Sequence, residues 1–472
     1  MEVKLLGQTS KKILEERIKI VAASGKLSRF PGNVFESIES CDDFDKNLKL
    51  IERIIKMGHE SIIDHDYLVF GLKDVSPVME QILIKERIIS FTIKSRREVD
   101  FSKVGYYIPN FRDEFGNVLK NNKDLQEKYI KHMNSLFDNY AYFIENGINK
   151  EDARFILPYC YHSNIIMGCD AHVLKNIIIR LIKGKDSKMA EVKELGEKLF
   201  ELVKDYVPYL TKLIEESNVE TSIENYLETI IEEKPKYELV DGVKLLSCSD
   251  NIDETIIKSS LMRLYQLNSD EANNLYVKLK KKIPNFEKDY IISINNDFEK
   301  LDFTQVNFRF QISLSLAVLT HLTRHRVHDL LVPDFFPVHN LGYYKVPTSI
   351  KNFDEELYHK IFRNNKDIYN YFKEQGVCDE DLIYFHLSGN MVNVVTDMNG
   401  KTLAWIARLR CCNKAQWEIR AVAKEMVKLV KEKSEYYSSI LGPDCEVKHI
   451  CKEGKESCGK INMILEKEEV NI

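Results

Sequence analysis

The strongest constraint on this chain is that it is written twice. "GYYIP" at Gly105 to Pro109 returns as "GYYKVP" at Gly342 to Pro347. Each follows an apolar segment that ends in charged residues, "VMEQILIKERIIS" in the first half and "LAVLTHLTRHRVHD" in the second. Further on, "DAHVL" from Asp170 is echoed by "NGKTL" from Asn399, and "ELVKDY" from Glu201 by "KLVKEK" from Lys428. The separations are 239 residues between Arg87 and Arg326, 237 between Tyr106 and Tyr343, and 229 between Asp170 and Asn399, in a chain of 472 residues. Four ordered matches at nearly one offset, close to half the length, predict two diverged copies of one folding unit. The boundaries expected are 1–230 and 243–472, joined through the charged, proline-bearing "EEKPKYELVDG" that starts at Glu232. A chain this long exceeds what one hydrophobic core usually serves, so more than one core is expected in any case.

Within each copy, long amphipathic patterns alternate with a few short strand patterns. "NLKLIERIIKMG", "VKELGEKLFELVKDYVPYLTKLIEES" and "AQWEIRAVAKEMVKLVKEKSEYYSSIL" place apolar residues three and four apart and predict helices. "HDYLVFGLK" and "TQVNFRFQIS" alternate apolar with polar, as half-buried strands do. The expected fold class is α/β (α+β): two tandem units, each with long helices packed on a small, mostly antiparallel sheet. The apolar run "QISLSLAVLTHLT" is expected to be a packed helix whose end presents Arg324, His325 and Arg326. The alternative is a helix C-terminus whose cations merely complement the dipole.

Charge and motifs exclude several function classes. Net charge is −5 with 30% charged residues, so no global basic field recruits nucleic acid, and no nucleic-acid partner is expected. No apolar stretch reaches the ~18 residues that a membrane span needs, and the N-terminus lacks a signal-peptide core. No membrane partner is expected, and a cytoplasmic location is. Ten scattered cysteines suit a reducing compartment. Neither a G-x-G-x-x-G turn nor a G-x-x-x-x-G-K-S/T loop occurs, which removes two common routes to nucleotide binding. His59 and His65 are six apart and cannot share a helix face as a zincin pair does. Cys445, His449, Cys451 and Cys458 are metal-capable residue types, but without paired C-x2-C knuckles no metal is expected there.

"GHESIIDHDYLVFGLKDVS" (from Gly58), "EDARFILP" (from Glu151), "RHR" (from Arg324) and above all "LRCCNKAQWEIR" (from Leu409) resemble the flavin-dependent thymidylate synthase family. The resemblance covers most of the chain, twice over, in units of about the family's subunit length. Its hallmark is Arg-His-Arg followed by spaced Ser, Asn-Glu, Ser and Arg. The first copy has Lys85, Glu86 and Arg87 at the start, then Ser90, Thr92, Ile93, Ser95 and Arg97, so the second half of the hallmark survives. The second copy keeps Arg324, His325 and Arg326, then reads Asp329, Leu331, Val332, Asp334 and Phe336. The division continues elsewhere: Arg154 before "LP" faces Ile383 in the second copy, while Arg410 faces Leu181 in the first.

The resemblance implies dUMP and flavin adenine dinucleotide (FAD) bound between units, with NADPH and methylenetetrahydrofolate as co-substrates. A homodimer that makes a pseudo-tetramer of family-like units is also implied. Ser95, Arg97, Arg154, Arg324 and Arg410 are then the expected dUMP residues, and His59, Ser61, Asp64, Arg324, His325, Arg326, Asn399 and Leu409 the expected FAD residues. Arg410 and Ser95 are the expected catalytic residues. The residue types suit these roles, because guanidinium forks and a hydroxyl give a phosphate dianion charge-assisted hydrogen bonds. A fixed cation also stabilises an enolate more than its neutral precursor. Ser95 has no histidine near it in sequence to activate it, so positioning is expected rather than nucleophilic attack. Arg96, beside Arg97, is expected to be solvated. The Asn-Glu pair is missing from both copies, and Lys414 stands where the family has a histidine. Two readings remain open: a working synthase with composite pockets, and a nucleotide- or flavin-binding relative without that activity or with another pyrimidine substrate.

Overall fold

The computed structural model describes residues 1–8, 14–219, 223–231, 237–295, 301–333 and 341–469. Asp334, Phe336 and part of the charged connector lie outside the described residues. In chain order the elements that frame the sites begin with β1 (Glu2–Gln8), α1 (Leu14–Leu27), β2 (Tyr67–Val75), α2 (Pro77–Ile84) and β3 (Ser90–Ile93). α3 (Asn122–Glu145), β4 (Ser163–Asp170), α4 (Ala171–Lys183) and α5 (Ala190–Tyr206) complete the first repeat. The second contains β5 (Val243–Cys248), α6 (Ile252–Tyr265), β6 (Asn307–Ser315), α7 (Leu316–Thr323) and β7 (Asp329–Leu331). It continues with α8 (Thr348–Glu374), β8 (Met391–Asn399), α9 (Gly400–Arg410) and α10 (Trp417–Lys431).

Two four-stranded sheets result, ordered β1-β2-β4-β3 and β5-β6-β8-β7, with neighbouring strands antiparallel throughout. The α/β class and the duplication are as expected. Alternation buries one face of each sheet: Leu68, Phe70 and Leu72 in β2, and Phe308, Phe310, Ile312 and Leu314 in β6, are at most 2% exposed. Each such side chain contributes about 1.5–3 kcal/mol of burial. The two sheets differ by one residue. The register of β2 against β4 shifts between Lys73 and Val75, where Asp74 takes φ 58°, whereas β6 runs unbroken along β8. This bulge is why equivalent positions are 240 apart at the start of β2 (Tyr67 and Asn307) and 239 apart at its end (Ser76 and Ser315).

By packing, the chain forms two compact units, Met1–Lys236 with Val346–Ser388, and Tyr237–Lys345 with Gly389–Ile472. α8 therefore packs in the first unit. There His132 on α3 and Asn365 on α8 share a 2.8 Å hydrogen bond, and Arg112 pairs with Asp381 at 2.6 Å. The Tyr159 amide donates to the His386 carbonyl (2.7 Å), and the Ser388 amide donates to the Leu157 carbonyl (2.9 Å). These two bonds exchange under the repeat offset of 229, as an isologous contact requires.

Three deviations from the expected elements have local causes. The helix expected across "VKELGEKLFELVKDYVPYLTKLIEES" ends at Tyr206, because Pro208 forces Val207 out of helical geometry (φ −142°, ψ 57°) before a 3-10 turn and a short helix follow. The one expected through "AQWEIR" to "SSIL" ends at Lys431, and Ser434 caps a new turn by accepting from the Tyr437 amide. "QISLSLAVLTHLT" is not one helix: it is strand to Ser315 and helix only from Leu316.

That strand-to-helix junction is held identically in both repeats. The Ser76 amide and hydroxyl both donate to the Glu191 carboxylate (2.8 and 2.6 Å), and the Ser315 amide and hydroxyl to that of Glu418 (2.8 and 2.7 Å). Glu191 also accepts from the Tyr384 hydroxyl at 2.9 Å. Burial raises the Glu191 pKa above 4.5 despite these hydrogen bonds, which favour the ionised form. Between 4.5 and the raised value the folded chain holds a proton that the unfolded chain has released, so stability falls as pH rises through that window. Glu191→Gln should flatten this slope in denaturant titrations at several pH values, whereas Glu191→Ala should cost about 2–3 kcal/mol by stranding the Ser76 amide.

Candidate functional site

In the first unit the chain leaves β3 and immediately forms a cationic corner. Ser95 accepts from the Arg97 amide at 3.3 Å, and the Arg97 guanidinium pairs with the Glu151 carboxylate. Arg154 is 3% exposed and its Nε donates to the Glu151 carbonyl at 3.1 Å. Glu151 thus brings Arg97 and Arg154, expected from the sequence, into one cluster. Arg96 is not solvated, contrary to expectation: it is 9% exposed, pairs with fully buried Glu80 on α2, and its guanidinium lies 5.3 Å from the ring centroid of Tyr161. Burial works against the charge of Arg96, but the Glu80 carboxylate outweighs it and holds the group charged. For Arg154 the balance is reversed. Burial first and the Arg96 charge second pull its pKa down to about 10, still protonated at neutral pH. The guanidiniums of Arg96, Arg97 and Arg154 are thus gathered in one corner with the carboxylates of Glu80 and Glu151, and guanidinium forks are strong donors to an anion.

The turn that follows Gly58 is a 3-10 helix, Glu60–His65, which feeds β2. His59, Ser61 and Asp64 are exposed on it. Asp64 Oδ1 meets His172 Nδ1 at 3.2 Å, and His172 Nε2 meets Glu60 at 2.7 Å. The turn is anchored from below by Asp66, which binds the Arg17 guanidinium through both oxygens at 2.6 Å and accepts from Tyr209 at 3.0 Å. Arg263 on α6 and Asp302 repeat this pairing in the second unit at 2.8 Å.

The second unit assembles the complementary set. α7 is buried throughout, and its end exposes Arg324 and Arg326 on either side of His325, which is 1% exposed. Arg410, the last residue of α9, donates from Nε to His325 Nε2 at 2.9 Å. With Nε2 accepting, the neutral imidazole carries its proton on Nδ1. The Trp405 ring stands edge-on to His325 (5.1 Å, 87°). Asn399 caps α9 by accepting from the Thr402 amide at 2.9 Å, and Leu409 is 45% exposed. His328, unremarked in the sequence, contacts the Thr396 hydroxyl at 2.6 Å and so pins the segment after Arg326 to β8.

Sequence reasoning missed Glu80, Glu151, His172 and Trp405. No spacing signal marks Glu80 as the partner of Arg96, sixteen residues on. The i, i+3 step from Glu151 to Arg154 was the one available hint.

A sequence profile of the thymidylate synthase complementing proteins matches residues 10–209 and again 245–434. The chain belongs to this family. Among curated members, a flavin-dependent thymidylate synthase of Saccharolobus solfataricus is 30% identical over 216 residues, 45% of this chain and 76% of that protein. One from Pyrococcus abyssi is 31% identical over 169 residues, 35% of this chain and 66% of that protein, so the match spans just under two thirds of its length. Among solved structures, a UMP/dUMP methylase PolB from Streptomyces cacaoi, bound with 5-Br dUMP, aligns over 45% of this chain and 93% of its own. At 19% identity and a TM-score of 0.37 that likeness is slight. The family's profile is thus matched once in each repeat.

The charge balance of the first cluster makes a stability prediction. Arg154→Met removes a buried like charge and should leave the melting temperature unchanged or higher. Glu80→Gln strands buried Arg96 and should cost about 3 kcal/mol or more by denaturant unfolding.

Proposed function

We propose that this protein is a flavin-dependent thymidylate synthase that converts dUMP to dTMP with methylenetetrahydrofolate and NADPH. Its pockets are composite, in a homodimer that makes a pseudo-tetramer. The observation that carries the reading is complementary loss. The first repeat keeps Ser95, Arg97 and Arg154 and has Leu181 in place of the later arginine; the second keeps Arg324, His325, Arg326 and Arg410 and has Ile383 in place of Arg154. A neutral drift of two copies would erode both sets together.

In this reading the guanidiniums of Arg154 and Arg97 take the phosphate dianion, with Ser95 adding a hydroxyl donor. Arg410, aimed by its bond to neutral His325, meets the uracil carbonyl, with Arg324 beside it. As carbon 5 becomes nucleophilic, negative charge builds on that carbonyl, and a fixed guanidinium stabilises it more than the neutral ground state. Because His325 is buried, it acts as a positioning residue for Arg410. The residues present fit FAD: the exposed guanidiniums of Arg324 and Arg326 suit its pyrophosphate, and His59, Ser61 and Asp64 offer polar groups on an exposed turn. Asn399 and Leu409 border the same reading from the two ends of α9. Bound in reduced form, the flavin supplies hydride.

One observation favours the second reading, a nucleotide-binding relative without this activity or with another pyrimidine substrate. Thr92 with Ile93, and Leu331 with Val332, stand where the family has its Asn-Glu pair. The two readings separate in purified protein. The first predicts yellow protein that binds dUMP, releases the carbon-5 hydrogen and rescues a thymidine auxotroph. Arg97→Ala should raise the KM for dUMP by about tenfold or more, and Arg410→Ala should raise it as well while lowering kcat by about 100-fold. Colourless protein that binds dUMP without turnover would establish the second.

A further inference from the structure

The C-terminal segment returns to the end of α9 and brings three cysteines to two others. Cys411 and Cys412 follow Arg410 directly; Cys445 lies in the short helix Asp444–Val447, and Cys451 and Cys458 in the turns after it. All five line one cavity of ≈ 20 Å³, with Lys460 at its rim. That volume takes a single water-sized occupant. The segment is tied to α9 independently of the thiols, since the Arg408 guanidinium pairs with Asp444 at 2.7 Å. Asn413 Nδ2 approaches the Cys458 sulfur at 3.6 Å, and the Cys451 sulfur approaches the Ser457 hydroxyl at 3.4 Å. All five are free thiols.

We propose that this cavity is a thiolate site for one soft divalent ion, of the zinc class, held by Cys412, Cys445, Cys451 and Cys458. Among the described residues no three candidate ligands already converge in a metal-binding arrangement, so binding proceeds with side-chain rotation toward the shared cavity. Four sulfur donors from two chain segments satisfy the tetrahedral preference of zinc, and sulfur selects it over magnesium or calcium. Each thiol gives up its proton to solvent as it binds, and no electrons move. A tetrahedral ion uses one cysteine of the vicinal pair and all three of the tail. The ion would clasp the tail to the turn that begins one residue after Arg410.

The test uses the full chain, purified in reductant, stripped by chelator and titrated anaerobically with Co²⁺. The proposal predicts saturation at about one ion per chain, with thiolate-to-cobalt charge-transfer absorption and the intense visible bands of a tetrahedral site, both abolished by Zn²⁺. Cys458→Ser, at an exposed position, should weaken Co²⁺ binding by about 100-fold or more, while Cys248→Ser, in β5 and outside the cavity, should leave it unchanged. Absence of the charge-transfer band, or binding equal to that of the parent in both Cys458→Ser and Cys451→Ser, overturns it. So does alkylation mapping that finds these cysteines as disulfides in protein that takes up no Co²⁺.

Discussion

The serine–carboxylate clasp at each strand-to-helix junction underlies everything else in this structure. Ser76 with Glu191, and Ser315 with Glu418, are buried, doubly hydrogen-bonded and repeated at matching places in two sequences that have otherwise diverged. Each fixes where a sheet strand turns into a short, wholly buried helix; in the first repeat Glu80 within that helix pairs with Arg96, and in the second its end carries Arg324, His325 and Arg326. Glu418 lies inside the "AQWEIR" block that carries the family's signal, so part of that signal is architectural.

On this common frame the two repeats have spent their buried charge differently. In the first, Glu80 on α2 pairs with Arg96, and burial together with the Arg96 charge lowers the pKa of Arg154. In the second, the position equivalent to Glu80 is Leu319, and that equivalent to Arg154 is Ile383. These two apolar replacements remove a buried carboxylate and a buried guanidinium together, which costs less than leaving one buried charge unmatched, while Glu151 keeps a counterpart in Glu380. The second repeat instead commits its helix end to His325, whose only exposed neighbours in sequence are cations and whose ring accepts from Arg410.

Much of this was legible in the sequence, for reasons tied to short-range pattern. The duplication and the alternating strands follow from local periodicity, and the structure has them where the pattern puts them. The site residues Arg97, Arg154 and Arg410 came from family resemblance, and the structure supplies a partner for each, Glu151 for the first two and His325 for the third. Glu151 and His325 are partners across three and eighty-five residues, and only the shorter step leaves a trace in sequence. The misjudged elements share one cause. Amphipathic periodicity continued through Val207 and Lys433, but local backbone chemistry, a proline in one case and a serine cap in the other, broke the helices there. Arg96 was misread because two adjacent arginines look equivalent until Glu80 buries one of them. The packing of 346–388 with the first unit depends on contacts hundreds of residues apart, which no window of sequence encodes.

In the proposed composite pocket the two repeats lend complementary guanidinium sets to one nucleotide, and counting bound nucleotide tests that most directly. Isothermal titration of the reduced, flavin-loaded full chain with dUMP should saturate at about one nucleotide per chain, with Arg154→Met and Arg410→Ala each weakening that same single site. Two equivalents per chain, or one equivalent that either substitution leaves untouched, would contradict it.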